Sequence, residues 1–384
     1  MRVAVVAPDK FKGSLSAGEA AAAIERGLRS AWPDGLETRA LPMADGGEGT
    51  VDAFVAAGAQ RIDRAVRGPL GRPAQAAFAL DGTVAVIEMS AASGLALLAP
   101  NEYDALRSTT YGTGELIAAA AGAGARRIVV GIGGSATNDG GAGALEALGV
   151  RLLDEHGSSL GPGGGALARL AQIDLAGLDA HLRDITIEVA ADVDNPLLGP
   201  RGASAVFGPQ KGASAEGVAQ LDAALTRFAD VTASTLGEDL RDRPGAGAAG
   251  GLGFALCAFL NAQSRPGVDI VADLRGLPAA LAGATWCFTG EGSIDAQTLR
   301  GKTVAGVARL ARAAGVPTIA FAGRIEPEAE SELAPAGVVT VPIADGPMPA
   351  EQALYGAASL LERAAARTAR LLSVDWCGAS PKAR

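Results

Sequence analysis

Only five of the 33 basic residues of this chain are lysines: Lys10, Lys12, Lys211, Lys302 and Lys382. Four of them fall in glycine-rich turns that follow apolar runs, while the helical stretches carry arginine. A compact ammonium in such a turn suits a clamp on phosphate or carboxylate. Carboxylates occupy the same kind of turn: Asp9, Asp45, Glu48, Asp139, Asp192, Asp194, Glu291 and Asp295. Mg²⁺ takes oxygen ligands and is commonly held by one or two carboxylates together with substrate phosphates. Phosphoryl transfer also needs a carboxylate beside the acceptor hydroxyl, with cations and backbone N–H groups around the transferred group. Any single Asp here is equally explained as an N-cap or turn residue. The joint pattern of lysines, carboxylates and glycine turns points to nucleotide-dependent phosphoryl transfer.

The elements that must position these groups are organised around residues 126–148. Ile128 to Ile132 is a short β-branched apolar run of the kind that forms a buried strand. It breaks into Gly133-Gly134-Ser135, and after Asn138-Asp139 helical spacing begins with Ala142, Leu145 and Leu148. Strand, glycine turn, helix is a local plan by which α/β proteins hold an anion on backbone N–H groups. A plain tight connection in a glycine-rich chain would look similar. The pattern Asp-Gly-Gly-x-Gly occurs twice, at Asp45–Gly49 and Asp139–Gly143. Gly245 to Gly250 matches the dinucleotide pattern literally but lacks a preceding strand. Arg300 to Thr303 approaches a P-loop, but Ala296 stands where its first glycine should be.

Composition narrows the field. With 384 residues, 48% of them hydrophobic but only 4% aromatic, the chain can build about two domains around Ala, Val, Leu and Ile. A net charge of −9 without a basic block disfavours nucleic acid. No apolar run approaches the ~18 residues of a membrane span, and no signal peptide is read at the N-terminus. Cys257, Cys287 and Cys377 lack disulfide or metal spacing, so a cytoplasmic location is expected. Two histidines leave little room for a histidine triad or zinc site.

Strands are expected at 3–7, 37–41, 61–67, 83–89, 128–132, 185–190, 285–289, 316–321 and 338–341. Ser16 with Glu19 forms a capping box ahead of a helix. A long amphipathic helix is expected over 216–236, a loop over 241–253 and a frayed tail over 375–384. Strands alternating with helices make this an α/β chain with largely parallel sheet, whose ligands bind beyond the carboxyl ends of strands.

Seven segments together resemble the glycerate kinase family of the bacterial type I kind. They are Pro8–Ser14, Ala44–Thr50, Gly131–Gly141, Asp192–Leu197, Phe207–Gly212, Gly247–Gly253 and Thr289–Asp295. The match runs in order from Val3 to about Leu371; Lys10 departs from it, standing where the family usually has Ser. The resemblance implies ATP-dependent phosphorylation of D-glycerate to 2-phosphoglycerate with ADP as co-product. It also implies two α/β domains, one flavodoxin-like, with the active site in an interdomain cleft. Residues 1–65 with 285–384 are expected to form the flavodoxin-like domain and 66–284 an inserted second one. Asp192, Lys10 and Lys12 are expected to be catalytic, and Asp9, Ser14, Asp45, Gln210 and Lys211 to bind substrate. Gly133, Gly134, Ser135, Asn138, Gly290, Glu291, Gly292 and Lys302 are expected to face the nucleotide. Asp45, Asp139, Asp194, Glu291 and Asp295 are the expected Mg²⁺ ligands, Asp192 and Asp194 pointing the same way by strand alternation. The expected partners are thus D-glycerate and ATP, with a homo-oligomer left open. Phosphorylation of the 3-hydroxyl, a non-catalytic nucleotide- or phosphosugar-binding regulator, and a phosphatase or mutase built on Asp192-Val193-Asp194 are the competing readings.

Overall fold

The computed structural model describes residues 2–300 and 302–374. The expected tail at 375–384, with Cys377 and Lys382, and Gly301 lie outside the described residues. Contacts divide the chain into two units, Met1–Ala44 with Val271–Arg384, and Asp45–Ile270.

The first unit is built on β1 (Arg2–Val6), β2 (Leu36–Ala40), β11 (Trp286–Ile294), β12 (Thr318–Ile325) and β13 (Val338–Pro342). They pair in the order β13-β12-β11-β1-β2, every pair parallel. Counted within the unit this is 2-1-3-4-5, the flavodoxin-like doubly wound order, whose switch point lies between its first and third strands, β1 and β11. Val5, Val6, Phe288 and Phe321 are fully buried, as a parallel strand covered on both faces requires. The capping box forms as read: Ser16 accepts from the Glu19 N–H, and Glu19 accepts from the Ser16 N–H. The apolar face of helix Ala17–Ala31 (Ala20, Ile24, Leu28) packs in one core with Leu360, Leu361 and Ala364 of helix Ala357–Leu372.

The second unit is built on β3 (Gln60–Arg67), β4 (Pro73–Asp81), β5 (Val84–Glu88), β6 (Arg127–Gly131), β9 (Thr186–Ala190) and β10 (Gln263–Arg265), with a small pair β7 (Arg151–Leu153) and β8 (Gln172–Asp174) apart. The six-stranded sheet runs β10-β9-β6-β5-β4-β3, parallel from β10 to β5 and antiparallel beyond. Ile87, Ile128, Val130, Ile187 and Val189 form its central core.

The units divide at 44/45 and 270/271, where the sequence suggested 65/66 and 284/285. On the first side, β3 pairs residue for residue with β4, which draws the preceding segment into the second sheet. On the other, the Arg39 guanidinium of β2 donates to the carbonyls of Ala280 and Ala282, within the first unit. Strand β4 itself was not expected: Ala74, Ala76, Ala77 and Ala79 give it neither alternation nor β-branching. Strand β11 runs five residues past the expected end at Thr289, carrying Gly290 and Glu291 in register with β12. Among the described residues no helix is long and apolar enough to cross a membrane.

Candidate functional site

The site in the second unit begins where β6 and β9 end. A Cβ on Gly131, the last residue of β6, would sit 1.8 Å from the Gly46 carbonyl oxygen. Only glycine permits that approach, and it seats the turn Asp45-Gly46-Gly47 directly on the strand end. Gly267 is pressed in the same way, its absent Cβ 1.8 Å from the Asp45 carbonyl oxygen. The Gly267 N–H donates to Asp192 Oδ1 at 3.0 Å, which fixes the carboxylate that follows β9.

These turns enclose a cavity of about 240 Å³. Its wall gathers Asp192, expected to be catalytic, with Asp45, Gln210 and Lys211, expected to bind substrate, and Gly133, Gly134 and Ser135, expected at the nucleotide. Lys211 is delivered by a 3₁₀ turn, Pro209–Lys211, after helix Ala203–Phe207 and is only 1% exposed. Its Nζ donates to Ser135 Oγ at 2.8 Å and to the Thr137 carbonyl at 2.6 Å. Burial pulls the ammonium down to about 7, and Asp139, acting through space, opposes that shift. Sequence reading did not anticipate Ala248 and Ala249 on the same wall. Ala249 holds a left-handed φ of 53°, uncommon for a residue with a Cβ.

Three expected residues are placed otherwise. Asp139 does not line the cavity; it is fully buried and accepts from the N–H groups of Thr110, Gly141 and Gly143 and from Thr110 Oγ1. Those bonds tie the starts of helices Tyr111–Gly122 and Ala142–Ala147 together, so Asp139 braces them; burial raises its pKa against all four donors. Asp194 is exposed, and the wall takes Asp192 and Val193 instead. The chain leaves the strand at Ala190, so extended alternation no longer governs where these side chains go. Asn138 is buried away from the cavity wall and donates through Nδ2 to Ser204 Oγ, while its Oδ1 and Thr137 Oγ1 have no partner among the described residues.

In the first unit the remaining candidates meet at the switch point. The Asp9 N–H donates to the Gly290 carbonyl at 2.9 Å, joining the end of β1 to β11. Asp9 accepts from the Lys10 N–H through Oδ1 and from Thr303 Oγ1 through Oδ2. Glu291 accepts from Thr298 Oγ1 at 2.8 Å. Its pKa is pushed up to about 7, chiefly by burial and then by Asp9 and Asp295, against the pull of Thr298 and Lys302. Asp295 Oδ1 accepts from the Gln297 N–H and shapes the turn, and Lys302 Nζ donates to Gln297 Oε1. Ser14 spends its hydroxyl on the Phe11 carbonyl; Lys10 is half-buried and Lys12 exposed. Among the described residues no group of three or more His, Cys, Asp or Glu is placed to hold a metal ion.

Comparison with known proteins agrees with this chemistry. The family model for the glycerate kinase family matches residues 4–373. The chain is 52% identical to glycerate kinase of Bacillus subtilis (strain 168), over 94% of this chain and 95% of that protein. It is 50% identical to glycerate 2-kinase of Escherichia coli (strain K12), over 84% and 85%. The fold matches, with a TM-score of 0.88 and 48% identity, the crystal structure of a protein proposed to be glycerate kinase 2 from Salmonella typhimurium LT2, covering 97% of this chain and 98% of that one. The regulator, phosphatase and mutase readings fall away against these matches. The chain belongs to the glycerate kinase family and is a kinase.

Proposed function

We propose that the protein transfers the γ-phosphoryl group of ATP to D-glycerate with Mg²⁺, giving 2-phosphoglycerate and ADP. The observation that carries this reading is the shared cavity wall of Asp192 and the Gly133-Gly134-Ser135 turn. A carboxylate facing the acceptor hydroxyl and open backbone facing the phosphoryl group are the two parts that the reaction asks of a protein. The volume, about 240 Å³, leaves room for a three-carbon acid with the phosphoryl group entering. Asp192 orients the hydroxyl and accepts its proton; the hydrogen bond from Gly267 keeps the carboxylate aimed.

Two segments are proposed to take phosphate groups of the nucleotide, the turn 133–135 in the second unit and residues 290–292 of strand β11 in the first, the latter at the switch point where doubly wound sheets bind ligands. Mg²⁺ fits the donor chemistry around Glu291, which with Asp9 offers hard carboxylate oxygens, and a cation would favour the charged form that burial resists. When bound, the ion would neutralise charge building on the phosphate oxygens. The likeness to the Escherichia coli glycerate 2-kinase supports the 2-hydroxyl as acceptor. Polar reactants, and Cys257 and Cys287 both buried as free thiols, support a cytoplasmic enzyme.

The test is ADP release measured with and without D-glycerate, followed by NMR of the product. ADP release that depends on D-glycerate and a 2-phosphoglycerate spectrum are expected. A 3-phosphoglycerate spectrum overturns the regiochemistry, and ADP release indifferent to D-glycerate overturns the substrate.

A further inference from the structure

We infer that Lys211 is the counter-ion of the substrate carboxylate, and that it makes the cavity selective for a small, singly charged hydroxy acid. The inference rests on the proposed reaction and adds how its substrate is recognised.

A lysine ammonium has three N–H donors. Two of those on Lys211 go to neutral oxygens, Ser135 Oγ and the Thr137 carbonyl, and the third has no protein acceptor among the described residues. A buried ammonium is stable when a carboxylate pairs with it, and one left unpaired is strongly disfavoured. Among the described residues none forms an ion pair with it. The charged groups around Lys211 are Asp139, acting only through space and already holding four donors, and Asp45 and Asp192 on the cavity wall. Asp45 Oδ1 is engaged by the Gly47 N–H and Asp192 Oδ1 by the Gly267 N–H. The cavity thus presents one desolvated cation that lacks a partner, and a ligand anion completes it.

The same wall decides which anion. Lys211 is its only cationic residue, and Asp45 and Asp192 are acidic. A free phosphate paired with Lys211 itself sets up to two negative charges against one ammonium and two aspartates, whereas the transferred phosphoryl group is proposed at the backbone N–H groups of the Gly133-Gly134-Ser135 turn. A carboxylate brings one charge and matches one ammonium. The cavity holds a small acid, and a glycerate whose carboxylate meets Lys211 leaves its hydroxyls for the remaining wall, where Asp192 stands.

The pairing has a thermodynamic signature. Without ligand the ammonium is half deprotonated near pH 7. A bound carboxylate favours its charged form, so binding above pH 7 takes up a proton, and affinity falls as the pH rises, approaching about tenfold per unit for one linked proton. Calorimetry of the full-length protein with D-glycerate, in two buffers of different ionisation enthalpy, reads this directly. Uptake approaching one proton per glycerate is expected at pH 8 and little at pH 6. Lys211→Met is expected to abolish the uptake, weaken D-glycerate by about 100-fold and leave glycerol, which lacks the carboxylate, as weak as in the parent. Glu291 and Glu146, also pushed up to about 7, remain in the variant, so uptake that persists in it belongs to them and overturns the assignment. If Lys211→Met does not fold, Lys211→Arg takes its place: the guanidinium stays charged throughout this pH range, so the uptake must vanish there too, and uptake that persists overturns the assignment. ADP and inorganic phosphate are the contrasting probes: uptake that depends on Lys211 with either of them, and not with D-glycerate, makes Lys211 a phosphate ligand. D-glycerate binding without proton uptake at pH 8 overturns the inference even when the enzyme phosphorylates glycerate normally. An enzyme that does not phosphorylate glycerate fails the proposed function instead.

Discussion

Each unit of this protein gathers polar groups toward the carboxyl ends of its central strands, and burial drives the key charged group of each toward neutrality from opposite sides. In the first unit Glu291 is pushed up to about 7. In the second Lys211 is pulled down to about 7. The dominant cause is the same, loss of water around the charged form, and the sign differs only because one group is an acid and the other a base. The difference teaches what each site lacks. The Glu291 site would gain from a cation and the Lys211 site from an anion, which matches the proposed reaction of a divalent metal and an organic acid.

Asp192→Asn breaks the comparison most sharply, because it asks whether acceptor activation belongs to the second unit. The amide keeps an oxygen for the Gly267 N–H, so the fold should persist while kcat falls by ~10²–10⁴. A variant with an unchanged melting temperature and normal turnover would move the base to another residue. Next in size is the brace behind Lys211. Asp139→Ala strips the acceptor from four buried donors and should destabilise the protein by about 3–5 kcal/mol in denaturant titration. A loss under ~1 kcal/mol would mean those donors find other partners. On the first-unit side, Glu291→Gln should raise the Mg²⁺ concentration needed for half-maximal rate by about 10–100-fold, and an unchanged requirement would release Glu291 from the metal.

The two groups also predict opposite pH slopes in the ligand-free protein. Glu291 has a raised folded pKa, so its contribution to stability is full below its unfolded value of 4.5 and is lost as the pH rises through about 7. Lys211 has a depressed one, so its contribution is full above 10.5 and is lost as the pH falls through about 7. Relative to the parent, Glu291→Gln should therefore gain melting temperature as the pH climbs from 4.5 past 7. Lys211→Met should gain it as the pH drops from 10.5 past 7. Parallel slopes would refute the symmetry. The smallest effect is expected from Gly133→Ala, a residue without positive φ whose new Cβ would meet only the Gly47 Cα, at 3.4 Å. A few-fold rise in KM for ATP should result, with unchanged stability. An unaltered KM would turn the nucleotide away from this turn. Gly134 makes a poorer probe, since its φ of +72° strains any side chain.

The sequence showed that polar groups end the strands, because glycine, aspartate and lysine after an apolar run are legible as a pattern. Asp45, Asp192, Gln210 and Lys211 do meet on one wall. It did not show which carboxylates look inward. Asp139 and Asp45 open the same Asp-Gly-Gly-x-Gly pattern, yet one is a buried brace and the other lines the cavity. What separates them is contact with Thr110, 29 residues earlier in the chain, which no local rule reports. Alternation also misled at Asp194, since it applies only while the chain stays extended. The low count of lysines did single out Lys211. Its burial could not be read, because it depends on Ser135 and Thr137, some 75 residues away.

Strand β11 carries Glu291 between two glycines, and this has a consequence for mutational robustness. A slip of one residue against β12 would turn Glu291 to the opposite face and put a glycine, with no side chain at all, in its place. Packing next to the carboxylate would barely register the error. The register must therefore be policed from a distance, by Phe288 opposite Ile319 and Ile294 opposite Ile325, with the Phe288 and Phe321 rings stacked 6.2 Å apart. Apolar residues away from the carboxylate thus hold a veto over where Glu291 points, and the glycines beside it leave that aim with no local safeguard.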